Sequence, residues 1–236
     1  MSSDKIIELH NVWKKYSMRD IFHRSLREDI VNVFTRSNSK RLKEDEFWAL
    51  KNLELSIDRG ECVGLYGPNG AGKTTILKLI ASVTYPTIGD VQVKGRVAPL
   101  IEIGAGFHPD LTGRENIFMN GAIIGMSLKE IKKKIDEIVS FSELERFIDM
   151  PVKKYSSGMY LRLGFSVAIY SSAEILLIDE IFAIGDDSFQ KKCIEKAHKL
   201  GESGKTLLIV SHDRELIEQL TDKIFFIKKG ELVEEL

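Results

Sequence analysis

Residues 67–74, Gly67-Pro68-Asn69-Gly70-Ala71-Gly72-Lys73-Thr74, fill every position of the pattern G-x-x-x-x-G-K-[ST], and this stretch constrains the fold more than any other. The run before it, Cys62-Val63-Gly64-Leu65-Tyr66, reads as a buried strand. The run after it, Thr75-Ile76-Leu77-Lys78-Leu79-Ile80, begins a helix with apolar periodicity. Strand, loop and helix in that order are the context in which the pattern cradles phosphate. Glycines let successive backbone N–H groups turn inward around phosphate oxygens, and the helix start adds its partial positive charge. Gly67, Asn69, Gly70, Ala71, Gly72 and Thr75 are therefore candidate binding positions. Lys73 is placed to reach the β- and γ-phosphates of a nucleoside triphosphate, and the Thr74 hydroxyl to ligate Mg²⁺.

Two later strands end in polar residues suited to the same chemistry. Ile175-Leu176-Leu177-Ile178 is a continuous apolar run, as a strand buried on both faces requires, and it closes on Asp179-Glu180. The carboxyl ends of strands are where open α/β sheets bind ligands. Asp179 there holds Mg²⁺ beside Thr74, and Glu180 polarises a water for in-line attack on the γ-phosphate. Thr206-Leu207-Leu208-Ile209-Val210 likewise leads into Ser211-His212, which places His212 to orient that water.

The remaining pattern alternates strands with helices, which predicts a parallel, doubly wound sheet. Strands are expected at 6–12, 50–57, 175–178, 206–210 and 224–227, with 91–93 and 97–101 as a short strand pair. Residues 111–170 read as mostly helical, an inserted subdomain, with Ser127 and Glu130 spaced as a capping box. The 236 residues thus form one domain, with an insertion at 18–46. A net charge of −1 gives no footprint for nucleic acid, and no nucleic-acid partner is expected. Cys62 and Cys193 lack metal-ligand spacing, and a reducing compartment is expected. Met1 is followed by polar residues rather than an apolar leader, and no run approaches a membrane span, so any membrane role is expected to need a partner.

Tyr155-Ser156-Ser157-Gly158-Met159, with Arg162 following on an apparent helix, brings a family into view. Together with the phosphate loop, Asp179-Glu180 and His212 in this order, the chain resembles the ATPase subunit of an ABC transporter. Ser156 and Gly158 align with that family's L-S-G-G-Q signature, and the stretch departs from it at three positions; Y-S-S-G-M is similar to the variant of polysaccharide-exporting members. The resemblance covers the chain apart from 18–46. It implies an α/β fold, a P-loop NTPase domain of the ABC type with an antiparallel β subdomain and the helical insertion. It implies ATP and Mg²⁺ as ligands, and a head-to-tail pair of identical chains in which Ser156, Ser157 and Gly158 meet the γ-phosphate held by the opposite copy. Asp186 matches the aspartate expected at that seam, and Tyr16 the aromatic that stacks on adenine, with Trp13 and Trp48 as alternatives.

One motif departs from the family. The glutamine usual six residues before a proline is replaced, counting back from Pro109, by Ile103; Glu102 is the nearest polar substitute for approaching Mg²⁺. Residues 98–116 look instead like the corresponding stretch of O-antigen, capsule and teichoic acid exporters. The resemblance therefore implies an ATPase at the cytoplasmic face of the inner membrane that powers a separate integral membrane permease exporting a lipid-linked polysaccharide. Transport of a drug or small lipid is the alternative, and a soluble ABC-type clamp on DNA or the ribosome a more distant one. It also leaves open a glycan-binding domain beyond Leu236, in a longer chain, against a complete short member. In the insertion, Ile21, Phe22, Leu26, Ile30, Val33 and Phe34 fall on one helical stripe, and residues 19–43 carry seven Lys/Arg against three Asp/Glu. Such a helix lies at a membrane surface, on the permease, or on its own domain.

Overall fold

The computed structural model describes residues 4–18, 42–101, 104, 106–179 and 186–235. Strand β1 (Lys5–Ser17) pairs antiparallel with β2 (Glu46–Asp58), from Lys5↔Asp58 to Ser17↔Glu46. Both strands outrun the segments expected from sequence because the ladder continues through Lys15↔Trp48 and Tyr16↔Phe47. Aromatic cross-strand neighbours stabilise that extension. At its end the Met18 N–H donates to the Asp45 carbonyl (2.7 Å) and the Ser17 hydroxyl to Asp45 Oδ2 (3.0 Å). The chain thus leaves and re-enters the pair at one point. The basic amphipathic stripe from Ile21 to Phe34 lies outside the described residues.

Strand β3 (Cys62–Tyr66) runs into the phosphate loop and helix α1 (Lys73–Ile80). Strands β4 (Ile88–Val93) and β5 (Val97–Leu100) then correct an expectation, since they do not pair with each other. β4 joins the antiparallel sheet alongside β1 (Ile7↔Val93), whereas β5 runs parallel to a later strand (Val97↔Ile175). The link between them crosses from one sheet to the other. Arg96 fixes the crossing, because its carbonyl accepts from the N–H groups of both Glu174 and Ile175, each at 3.0 Å. Pro99, which has no N–H to donate, is accommodated because β5 is an edge strand.

The helical part comprises α2 (Gly113–Ile123), α3 (Leu128–Ser142) and α4 (Ser157–Ile169). Full capping boxes start α2, through Thr112 and Glu115, and α3, through Ser127 and Glu130, the second as the spacing predicts. The chain continues as β6 (Ile175–Asp179), α5 (Asp187–Glu202), β7 (Thr206–Ser211), α6 (Arg214–Leu220), β8 (Lys223–Lys228) and β9 (Glu231–Glu235). β9 escaped the sequence reading: it is a short, acid-rich edge strand antiparallel to β8, without the apolar run of a central strand.

The second sheet has the order β5-β6-β7-β3-β8-β9 and is parallel except at β9. Its central strands serve two cores. Ile175, Leu177, Leu208 and Val210 pack with α1 and the antiparallel sheet, while Leu176, Ile178, Leu207 and Ile209 pack with α4 and α5. An apolar run without alternation is what burial on both faces demands. Helix α4 is shared as well: Phe165 and Ile169 join the sheet-side core, and Leu163 and Val167 join Ile117, Ile131 and Ile138 of the helical part. No described helix is long and apolar enough to cross a membrane.

The α3 cap gives the fold an acid-sensitive contact. Hydrogen bonds from the Ser172 hydroxyl and from Ser127 hold the Glu130 carboxyl at about 2, down from 4.5. A carboxyl whose folded pKa is lowered stabilises the fold above the unfolded value, and that contribution is lost as pH falls from about 4.5 towards 2. Glu130→Gln should therefore lower the urea midpoint at pH 7, and the gap to the parent chain should narrow at pH 3 and close only below pH 2.

Candidate nucleotide site

Strand register brings the sequence candidates to one edge. Tyr66 lies opposite Ser211, Val210 opposite Asp179, and Ile178 opposite Leu100. The phosphate loop leaves β3, His212 leaves β7 and Asp179 ends β6, so three separate stretches of chain converge where the parallel strands terminate. Ser211 fixes the exit of β7, since its hydroxyl accepts from Asp213 N–H (2.9 Å) while Asp213 caps α6 by accepting from Leu216 N–H (3.2 Å). His212 is thereby held exposed between two tied residues. Glu180 and Glu102 lie outside the described residues.

The loop takes the conformation its glycines permit, with φ of 153°, 75° and 108° at Gly67, Gly70 and Gly72. Lys73 is buried and folds back over the loop, its Nζ donating to the carbonyls of Gly67 (2.7 Å) and Pro68 (3.1 Å). Two of its three ammonium donors orient the side chain and the third can reach an anion. Thr74 is exposed in the first turn and Thr75 half-buried behind it; Asn69 is exposed on the loop and Ala71 buried beneath it. Helix α1 is the one described α-helix whose N-cap makes no side-chain hydrogen bond; the other five are capped by Thr112, Ser127, Ser156, Asp186 and Asp213. With no acid in its first turn either, its free N–H groups and dipole are directed at a ligand rather than at its own chain.

The loop is backed by an element that sequence reading passed over. Lys229 (φ 50°) and Gly230 (φ 81°) form the two-residue turn between β8 and β9. Gly230 N–H donates to the Ala71 carbonyl (2.9 Å), and the Gly230 carbonyl accepts from Lys51 N–H (2.8 Å). A Cβ on Gly230 would lie 2.5 Å from the Ala49 carbonyl oxygen, and one on Gly72 would lie 2.8 Å from the same atom. Two glycines thus admit β2 directly against the loop. Tyr16, paired with Phe47 in β2 two residues from Ala49, sits on the strand pair that reaches the loop. Its ring lies 6.2 Å from Phe47 and beneath the Lys14 ammonium at 5.0 Å. Trp13 and Trp48 instead pack edge-on against each other at 5.3 Å.

The second constellation starts α4. Ser156 is its N-cap, accepting from Met159 N–H (3.2 Å). Ser156 and Ser157 are exposed, and a Cβ at Gly158 would meet only Ser156 Oγ, at 3.9 Å. Among the described residues nothing requires a glycine there. One helical turn further on, Arg162 donates to Glu143 Oε2 (2.7 Å) and to Asp186 Oδ2 (2.8 Å), its guanidinium 4.7 Å over the Phe189 ring. The Ser188 hydroxyl, the Phe189 N–H and Arg162 together hold the Asp186 carboxyl at about 2. Glu143 at the end of α3 was not foreseen, since an acid at a helix terminus has no sequence signature; Lys192 also binds it (3.1 Å).

A glycine-rich loop on an uncapped helix, an acid ending the strand next but one and a serine-capped helix on an inserted subdomain define a P-loop nucleotide-binding cassette. The chain belongs to the ABC transporter family, whose profile matches residues 50–183, more than half of it. It is 48% identical over 182 residues to the O-antigen export system ATP-binding protein RfbB of Myxococcus xanthus, covering 77% of this chain and 42% of that protein. It is 40% identical over 231 residues to RfbB of Klebsiella pneumoniae, covering 98% and 93%. It is also 39% identical over 234 residues to the teichoic acids export ATP-binding protein TagH of Lactiplantibacillus plantarum, covering 99% and 62%. The chain therefore spans less than two thirds of some of these relatives, 42% of the first. Among solved structures it is similar to the dimeric post-hydrolysis state of the ATP-binding cassette MJ0796 bound to ADP and Pi, with a TM-score of 0.77, 26% identity, and coverage of 98% of this chain and 97% of that one.

The backing turn is testable. Asparagine tolerates positive φ, so Gly230→Asn keeps the turn type but brings a Cβ to 2.5 Å from the Ala49 carbonyl. We expect ATP affinity, measured by calorimetry, to fall about tenfold, the factor carried by 1.4 kcal/mol of displacement. Unchanged affinity would make the turn and the loop independent.

Proposed function

We propose that this chain is the Mg²⁺-dependent, ATP-hydrolysing subunit of an exporter that moves a lipid-linked polysaccharide across the cytoplasmic membrane through a separate permease. The observation that carries the ATPase reading is the common edge on which the phosphate loop, Asp179 and His212 meet. Lys73 and the α1 N–H groups bind the triphosphate, and Tyr16 stacks on adenine. The Thr74 hydroxyl and Asp179 carboxylate are hard oxygen donors of the kind Mg²⁺ prefers, an ion that takes few protein ligands beside phosphate and water. Mg²⁺ held by these two residues would supply neutralisation of the triphosphate's charge, and Glu102 is the further candidate for its surroundings. Glu180 takes the proton of a water whose oxygen attacks the γ-phosphorus, His212 orients that water, and the bond to the bridging oxygen of ADP breaks.

One chain supplies both a triphosphate cradle and a bare serine-capped helix start, and they belong to different sites. We assign Ser156, Ser157 and Gly158 to the ATP of a second copy, in a two-fold pair with Asp186 at its seam. Domain limits follow the sequence: a single cassette over 1–236, interrupted by the family-specific segment 18–46 and by the helical part at about 111–170. The polysaccharide assignment rests on the relatives, named for O-antigen and teichoic acid export. The chain acts at the cytoplasmic face of the membrane, peripherally, and segment 18–46 is the candidate contact with bilayer or permease.

Glu180→Gln should slow ATP hydrolysis by roughly 10²-fold or more while ATP binding persists, and an ATP-bound dimer should accumulate on size exclusion. Hydrolysis at the parent rate would overturn the base assignment. Purified from its source membranes, the chain should bring down an integral membrane permease, and Phe22→Asp with Phe34→Asp should abolish that recovery but leave ATP binding intact. Recovery with DNA or ribosomes instead would overturn the transport assignment.

A further inference from the structure

Tyr155 stands where the L-S-G-G-Q pattern has leucine, and the fold gives its phenol a seat that a leucine would not use. The ring packs on the core of the helical part, which includes Ile148 and Val152. Its hydroxyl donates to the Phe147 carbonyl (2.9 Å). The way to that carbonyl passes over Gly113, the buried first residue of α2, where a Cβ would lie 2.2 Å from the Tyr155 hydroxyl oxygen. Gly113 N–H donates to the Met150 carbonyl (3.2 Å) and Arg114 N–H to the Ile148 carbonyl (2.9 Å), so the start of α2 forms one wall of the slot. The Phe147 carbonyl also accepts from Met150 N–H (2.9 Å), so the local turn closes without the phenol. The phenol bond is an addition to a segment already satisfied. Along the chain, Tyr155 closes the 3₁₀ turn Val152–Lys154 by donating its N–H to the Val152 carbonyl (3.0 Å), and it directly precedes the N-cap Ser156. Lys153, Lys154, Ser156 and Ser157 are exposed; of residues 153–157 only Tyr155 turns inward. Further along α4 the Tyr160 hydroxyl donates to the Gly104 carbonyl (2.7 Å), a tie on the helix body rather than on its cap.

We propose that Tyr155 is a positioning residue for pairing: its hydroxyl, pinned to the Phe147 carbonyl, fixes where Ser156 and Ser157 stand before a second copy's ATP reaches them. The inference rests on the two-fold pairing proposed above. An exposed cap with a single inward neighbour is free to swing about that neighbour. Fastening the far end of the ring removes the swing, and a contact ordered in advance costs less to form. Burial pushes the phenol up to about 12, so the hydroxyl remains a donor through the neutral range. Leucine at this position would fill apolar space but carries no donor.

The test compares two variants of the full chain. Tyr155→Phe keeps the ring in its slot but removes the hydroxyl, whereas Val152→Ala loosens the same core three residues earlier and keeps the bond. Thermal unfolding, ATP affinity by calorimetry and, in the Glu180→Gln background, the Kd of the ATP-bound pair by analytical ultracentrifugation are measured for each. Tyr155→Phe should unfold within about 4 °C of the parent and bind ATP at its own phosphate loop within about twofold. Its pair should nevertheless weaken about three- to tenfold, the factor of one ordinary hydrogen bond. With Glu180 in place, its hydrolysis per chain should fall at low concentration and recover towards the parent's as chain concentration rises. Val152→Ala should lose thermal stability with the Kd of the pair retained. A parent-like Kd in Tyr155→Phe, or equal weakening of the pair in both variants, would overturn the positioning role, while ATP-dependent pairing of the parent leaves the two-fold reading intact. A Glu180→Gln parent that binds ATP yet stays single would overturn that reading, and this inference with it.

Discussion

The site depends on the register of three parallel strands. Pairing Tyr66 with Ser211 and Val210 with Asp179 makes β3, β7 and β6 end at the same height. A slip by one residue would exchange the two faces of a strand, exposing Leu208 and Val210 to the partners of Leu207 and Ile209. Because each strand is buried on both faces, such a slip has no benign outcome, so two packed cores enforce the alignment of the polar residues just beyond them. Catalytic geometry here is a by-product of apolar packing: the ends are fixed because the middles cannot move.

A second constraint acts from behind the phosphate loop. The β8–β9 turn and β2 touch the loop through backbone atoms, and they reach it because Gly72 and Gly230 lack side chains. A loop with three positive-φ glycines has little intrinsic preference for one shape, since glycine loses more conformational freedom on ordering than any other residue. Contacts from two other strands supply the missing restraint. The antiparallel sheet that carries Tyr16 thereby also braces the phosphate loop.

Much of this was readable in the sequence because it is local. The loop pattern, the apolar strands with their acid and histidine ends, and the Ser127 cap each lie within a few residues, where periodicity and motif carry the signal. What escaped depends on distance. Nothing in Lys94-Gly95-Arg96 states that β4 and β5 part into different sheets; the anchor is Glu174, far along the chain. The roles of Glu143, Gly230 and Tyr160 exist only as contacts with residues 19 or more positions away. β9 failed on composition, because an edge strand can be built from glutamates when one side of its ladder faces water.

Helix α4 joins these constraints. Its rear half, from Leu163 to Ile169, is buried between the helical core and the sheet core, so its axis is set by both. Its front turn packs through Met159 and Tyr160 alone, with exposed serines and an open glycine beside them. Between the two, Arg162 ties it to Asp186 beyond Glu180, and Tyr160 ties it to the chain leaving β5. A helix held rigidly at the rear and tied by polar side chains on two sides has its front turn placed by those ties. If the fold needed α4 only to fill a core, apolar residues at 160 and 162 would serve without the desolvation that a half-buried phenol and guanidinium incur. The polar choice at both positions makes sense when the front of the helix has to be placed, not merely packed.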